Sequence, residues 1–165
     1  MRFVVVAGLA ACQLDECRLR EWALVEQHPE AVDERTSRRM RNVRRSGSDA
    51  ELRLRRELHR SGLRYQVDFR GLPGSPDVAF TRAKIAVFVD GCFWHRCPVH
   101  GSQPKTNEIW WRRKLDANVE RDRRKDAELE GLGWLPVHVW EHEDPAEAAS
   151  LIYELWLTRR DSESW

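Results

Sequence analysis

The chain has 165 residues, 41% of them hydrophobic and 33% charged. That suits one domain of ordinary size, and with no run near the roughly 20 apolar residues of a spanning helix it is expected to be neither a membrane protein nor a disordered one. A net charge of +1 hides a basic middle, since residues 35–70 carry 12 basic and 4 acidic side chains and residues 71–125 carry 11 and 6, against 3 and 7 in residues 1–34 and 2 and 10 in residues 126–165; this Arg-rich middle suits a polyanionic partner.

The first residues, Met1-Arg2 and FVVVAGLAA before Cys12, have the outline of a short secretory leader, but one Arg and a minimal apolar run make a weak one. Residues 1–32 are read instead as an extension of uncertain structure, and the remainder, 33–165, as a single domain of an intracellular, cytoplasmic protein. Ser37 to Arg44 predicts a short basic helix. Ser48 with Glu51 three residues later forms a capping box, and Ala50, Leu54 and Leu58 then recur every fourth residue until Gly62 ends the helix. Strands are expected over 64–69, 77–80 and 84–89, the last a nearly continuous apolar run typical of a central strand; short connections make the three a meander. Residues 90–104 lose all periodicity. A long helix follows from near Thr106 to Leu132, then a strand over 134–140 in which Pro136 favours an edge or a bulge. Asp144-Pro145 opens a last helix with Ala148, Leu151, Ile152 and Leu155 on its buried face. Trp134, Trp140 and Trp156 are read as core. The order α-β-β-β-α-β-α predicts an α/β fold, a mixed central sheet flanked by helices.

Four cysteines are too few for a disulfide framework in a domain of this size. Cys92, Cys97 and His100 stand as C-x4-C-x2-H in the irregular segment, and His142 follows the last strand. Four such ligands from two loops predict a closed, structural Zn²⁺ site that staples the loop. Cys12 and Cys17 repeat the spacing without nearby histidines and are assigned no metal. Asp77 and Asp90 stand at ends of adjacent strands, where two carboxylates can share Mg²⁺; Glu51 and His95 could complete an acid–base set. The competing reading is that Asp77 caps a turn and Glu51 only closes its capping box. Phe93-Trp94 lies between Cys92 and His95, and Trp110-Trp111 precedes Arg112, Arg113 and Lys114. Large rings among cations point to stacking on bases.

The stretches DERTSRRMRNVRRSGSDAE (33–51), Pro76-Asp77, VFVDGCFWHRCPVHG (87–101), Lys114-Leu115, Asn118 to Asp122 and GWLPVHVWEHED (133–144) resemble the very short patch repair endonucleases of the restriction-endonuclease-like superfamily. The likeness covers some two-thirds of the chain. It implies an αβββαβ core and nicking of one strand of duplex DNA beside a T:G mismatch left by deamination of 5-methylcytosine. It further implies that Asp77 is a Mg²⁺-binding carboxylate, His95 the catalytic histidine and Glu51 a required acid, with zinc on Cys92, Cys97, His100 and His142. Phe93, Trp94 and Trp111 would wedge beside the mismatch from the major groove and Met40 from the minor groove, while Lys114 and Asn118 would touch the DNA.

This chain departs from the family pattern in three places. Asp90, after Val89, stands where some members carry a histidine after a threonine, so it is either a second metal ligand or an acid–base partner. His142 stands where some have cysteine, and the superfamily's lysine after the third strand is replaced by Cys92. The expected protein is a monomeric, DNA-binding, Mg²⁺-dependent endonuclease that acts with other mismatch-repair proteins. Two other readings stay open: a zinc-stapled DNA-binding module without catalysis, and a related nuclease with a different DNA substrate.

Overall fold

The computed structural model describes residues 47–162. The expectations for residues 1–32, for a helix over 37–44 and for Met40 lie outside the described residues. In chain order the elements are α1 (Asp49–Arg60), β1 (Gln66–Val67), β2 (Val78–Phe80), β3 (Ile85–Asp90), α2 (Glu108–Gly131), β4 (Leu135–Trp140) and α3 (Pro145–Ser162).

Local chemistry sets most boundaries as the sequence predicts. The Ser48 hydroxyl accepts from the Glu51 backbone N–H at 3.3 Å, and the Glu51 carboxylate accepts from the Ser48 N–H at 3.2 Å, so two of the helix's orphan donors are satisfied at once. Asp144 caps α3 in the same manner, accepting from Ala146 and Glu147. Gly133, at φ 78°, ends α2, where the Trp134 N–H reaches back to the Leu129 carbonyl at 2.9 Å.

The sheet runs β1-β2-β3-β4. The first three strands form the expected antiparallel meander, and β4 joins β3 in parallel, from Ile85 opposite Leu135 to Asp90 opposite Trp140. A parallel neighbour requires a crossover, which α2 supplies. β4 is an edge strand, where Pro136 costs no ladder bond on its open side.

Alternation along the strands divides the sheet into two unlike faces. Val78, Phe80, Ile85, Val87 and Val139 form one buried cluster with Leu54 and Leu58 of α1 and Ala148, Ala149 and Ile152 of α3. The opposite face, covered by α2, carries Phe88, Asp90, Pro136, His138 and Trp140. One face therefore supplies the core, and the other holds polar groups that burial alone would exclude.

Four expectations need correction. The first strand spans two residues rather than six, because Asp68 enters the left-handed region at φ 47° and turns the chain out of the ladder. Leu151 is 56% exposed, and Ala149, at 2%, takes its place on the buried face. Trp134 and Trp140 are half-buried and lie outside the core cluster, whereas Trp156, also half-buried, packs against it. The long helix begins two residues later than expected, after Asn107 at φ 55° with no side-chain cap.

Candidate active site and metal centre

The loop after β3 is built as a series of tight turns. Backbone bonds run from His95 N–H to the Gly91 carbonyl, from Cys97 to Cys92 and from Gly101 to Cys97, the last at 2.7 Å. A Cβ on Gly101 would lie 2.4 Å from the Cys97 carbonyl oxygen, so only glycine fits this close approach. The turns bring both thiols inward, and Cys92 and Cys97 are buried without a disulfide between them. With His100 and His142 their donor atoms all lie within 4.8 Å of one another. Cys92 Sγ is 3.0 Å and Cys97 Sγ 3.7 Å from His142 Nδ1. Two sulfurs and two imidazole nitrogens in this volume fit the tetrahedral donor set that zinc prefers. Burial and the neighbouring Cys97 push the Cys92 thiol up to about 11. Glu141 adds a second tie, since its carboxylate accepts from the Cys92 N–H at 2.7 Å and its own N–H donates to the Asp90 carbonyl.

Beside this loop, Asp77 stands immediately before β2, and its Oδ2 accepts from the Val89 N–H of β3 at 2.8 Å. Burial raises the Asp77 carboxyl to about 6 despite that bond, with Glu51 adding to the rise and Arg55 opposing it. Arg55 links the two acids, donating to Glu51 at 3.2 Å and to the Asp77 carbonyl at 3.0 Å. A half-buried carboxylate next to a second one is a group that a hard cation would relieve, and its oxygens are the donors Mg²⁺ takes. Glu51 does more than close its capping box: it also holds Arg55 and contributes to the field on Asp77.

At the end of β3 the polar face of the sheet carries a row of five groups. His95 Nδ1 meets Asp122 Oδ2 of α2 at 2.8 Å and lies 3.7 Å from Asp90 Oδ1. Asp90 Oδ2 meets His138 Nδ1 of β4 at 2.7 Å, and His138 Nε2 meets Asp126 Oδ1 at 3.0 Å. Hydrogen bonds to Asp90 lead the causes that raise His138 to about 9. Both Asp90 oxygens are thus turned to imidazoles.

The three rings expected to meet the mismatch lie together. Phe93 lies 5.0 Å from Trp94 and 5.2 Å from Trp111 between ring centroids, in edge-on arrangements, and all three are half-buried. Each ring is held by the others, so a rigid apolar ridge stands beside His95 with part of its surface open. Asn118 departs from its expected place at the DNA: it is 7% exposed, its amide donates to the Trp94 carbonyl at 3.3 Å and it receives a bond from Arg121. It braces the ridge from within. Lys114 is half-buried near the start of α2, one turn beyond Trp110.

Sequence reading assigned no role to Asp122, Asp126, His138, Arg55 or Glu141. One signal was available: Asp122 and Asp126 are the two acids of an otherwise basic run, R-D-R-R-K-D, spaced four apart and hence on one helix face.

The family described as DNA mismatch endonuclease Vsr matches residues 31–100. The type II nicking enzyme V.NaeI of Lentzea aerocolonigenes is 45% identical over 132 residues, covering 77% of this chain and 80% of that protein. The DNA mismatch endonuclease Vsr of Escherichia coli (strain K12) is 37% identical over 106 residues, 64% of this chain and 68% of that protein. This chain belongs to the Vsr family. Another relative, the type II nicking enzyme V.XorIIP of Xanthomonas oryzae pv. oryzae, is 39% identical over 106 residues, 63% of this chain and 77% of that protein. An α/β core with a mixed four-stranded sheet is consistent with the restriction-endonuclease-like fold expected of a Vsr member.

Proposed function

We propose that the protein is a Mg²⁺-dependent DNA endonuclease that nicks one strand of a duplex beside a T:G mismatch. Relatives named as DNA mismatch endonuclease and as nicking enzymes support the class of reaction. The observation that carries the reading to this chain is the grouping of three features around the end of β3: the half-buried Asp77 tied to Val89, the His95–Asp122 pair, and the Phe93–Trp94–Trp111 ridge on and beside the same loop.

Asp77 would hold Mg²⁺, which when bound neutralises charge developing on the scissile phosphate. Asp122 accepts from His95 Nδ1–H, fixing the tautomer in which Nε2 is the acceptor, so His95 can take a proton from the attacking water. Glu51 and Arg55 set the charge around Asp77. The zinc donors Cys92, Cys97, His100 and His142 keep His95 and the ridge in fixed relation. The ridge enters a mispaired step at lower cost than a paired one, because less stacking and pairing is lost there, and that difference selects the site. Basic residues exposed on α2, among them Arg112, Arg113, Arg123 and Arg124, face the phosphates with Lys114.

Identical duplexes carrying T:G, C:G or another mismatch, incubated with Mg²⁺, test the reading. Nicking of one strand in the T:G duplex alone is expected, with none by Asp77→Ala, which still binds. Cleavage retained by Asp77→Ala refutes the assignment. Equal nicking of C:G favours a nuclease of different substrate, the reading supported by the relatives that are named as type II nicking enzymes. Binding without cleavage by the unaltered protein leaves the zinc-stapled binding module.

A further inference from the structure

His138 stands in β4 between Val137 and Val139 and faces α2, where its strand neighbours are Pro136 and Trp140. Packing requires no imidazole at this partly exposed position, yet both ring nitrogens and one ring face are engaged. Nδ1 lies 2.7 Å from Asp90 Oδ2, Nε2 lies 3.0 Å from Asp126 Oδ1, and the ring stacks on Phe88 at 5.2 Å with planes inclined by 19°. Two contacts in the ring plane and one on its face leave a single orientation. The second Asp90 oxygen, Oδ1, lies 3.7 Å from His95 Nδ1.

We propose that His138 is a positioning residue for strand cleavage, holding the Asp90 carboxylate so that it keeps its other oxygen toward His95. The proposal rests on the reading of the protein as an endonuclease. Asp122 and Asp126 lie one turn apart on α2, and each binds one of the two imidazoles. The helix therefore fixes where both rings stand, and Asp90 spans the gap between them. Without His138 the Asp90 Oδ2 loses its partner, and the carboxylate is no longer held at a fixed distance from His95. An untethered carboxylate beside His95 competes with Asp122 for Nδ1–H, which tilts the ring and misdirects Nε2. The sequence supplies three parts of this arrangement: an acid ending β3, a histidine two residues earlier in the register of β4, and an acid on α2, the two acids meeting opposite nitrogens of the one ring.

The test measures single-turnover nicking of the T:G duplex, duplex affinity and thermal unfolding for wild type, His138→Ala, His138→Asn, Asp90→Asn and the double variant His138→Ala with Asp90→Asn. His138→Ala is expected to slow nicking about tenfold, the scale typical of lost orienting partners, with duplex affinity unchanged. His138→Asn, whose amide can donate to Asp90 from near the position of Nδ1, recovers most of that rate. In the Asp90→Asn background, His138→Ala has no further effect. Nicking that falls only in step with thermal stability, absence of rescue by Asn, or full additivity with Asp90→Asn makes His138 a simple strand-to-helix tie and overturns the proposal. Full-rate nicking by His138→Ala overturns it too while leaving the endonuclease reading intact; failure of wild type to nick any duplex overturns that reading and this one with it.

Discussion

Asp77→Asn should make the Mg²⁺-free protein more stable while removing its activity. In the fold, burial and the nearby Glu51 raise the Asp77 carboxyl from 3.8 to about 6. A raised acid favours folding only where it is protonated, so its contribution is complete below pH 3.8, declines as pH rises through about 6, and is lost above it. At pH 7 to 8 the ionised side chain therefore works against the fold. At about 1.4 kcal/mol for each pH unit, the difference amounts to at most about 3 kcal/mol, reduced by whatever the amide loses in its bond to the Val89 N–H. Urea unfolding of both proteins in Mg²⁺-free buffer across pH 4 to 8 measures it. The variant should be the more stable at pH 8, and the gap should close toward pH 4. A variant less stable than wild type at pH 8, or a gap independent of pH, shows that the buried charge is not what strains this site.

Three further outcomes follow from the packing and the loop. Cys97→Ala should lose bound zinc, measured by elemental analysis, and open the segment 91–101 to proteolysis while α1 and the sheet persist. Trp111→Ala removes one wall of the aromatic ridge, and should reduce the preference for T:G over C:G duplexes more than it reduces total duplex binding, as read by competition titration. Ile152→Ala, at a fully buried position in the α1–α3 layer, should cost about 2–5 kcal/mol in chemical denaturation, with residual activity per folded molecule unchanged.

What could be read from the sequence divides along a physical line. The capping box at Ser48, the apolar β3 run and the C-x4-C-x2-H spacing are local patterns whose causes lie within a few residues, and the structure keeps each of them. Asp77 and His95 stand out as candidates from the turn and loop that carry them. The lost cases depend on distant partners. His138 looks like an isolated polar residue in a strand until β4 is placed beside β3, 48 residues away from Asp90 in sequence. Asn118 looks like a surface amide until the Trp94 carbonyl arrives above it. Leu151 and Ala149 exchange places because helical spacing locates a stripe but not its centre, and contact with α1 decides which residues it includes.

The parallel pairing of β3 with β4 sets an order on the molecule's own assembly. His142, Glu141 and His138 all arrive on the final strand or just past it, after the 24-residue helix has crossed over. A growing polypeptide that has exposed Asp77, His95 and the tryptophans, but not yet this strand, lacks the clasp and the second imidazole together. Competence to cut is thereby deferred until β4 and the residues just past it have been made.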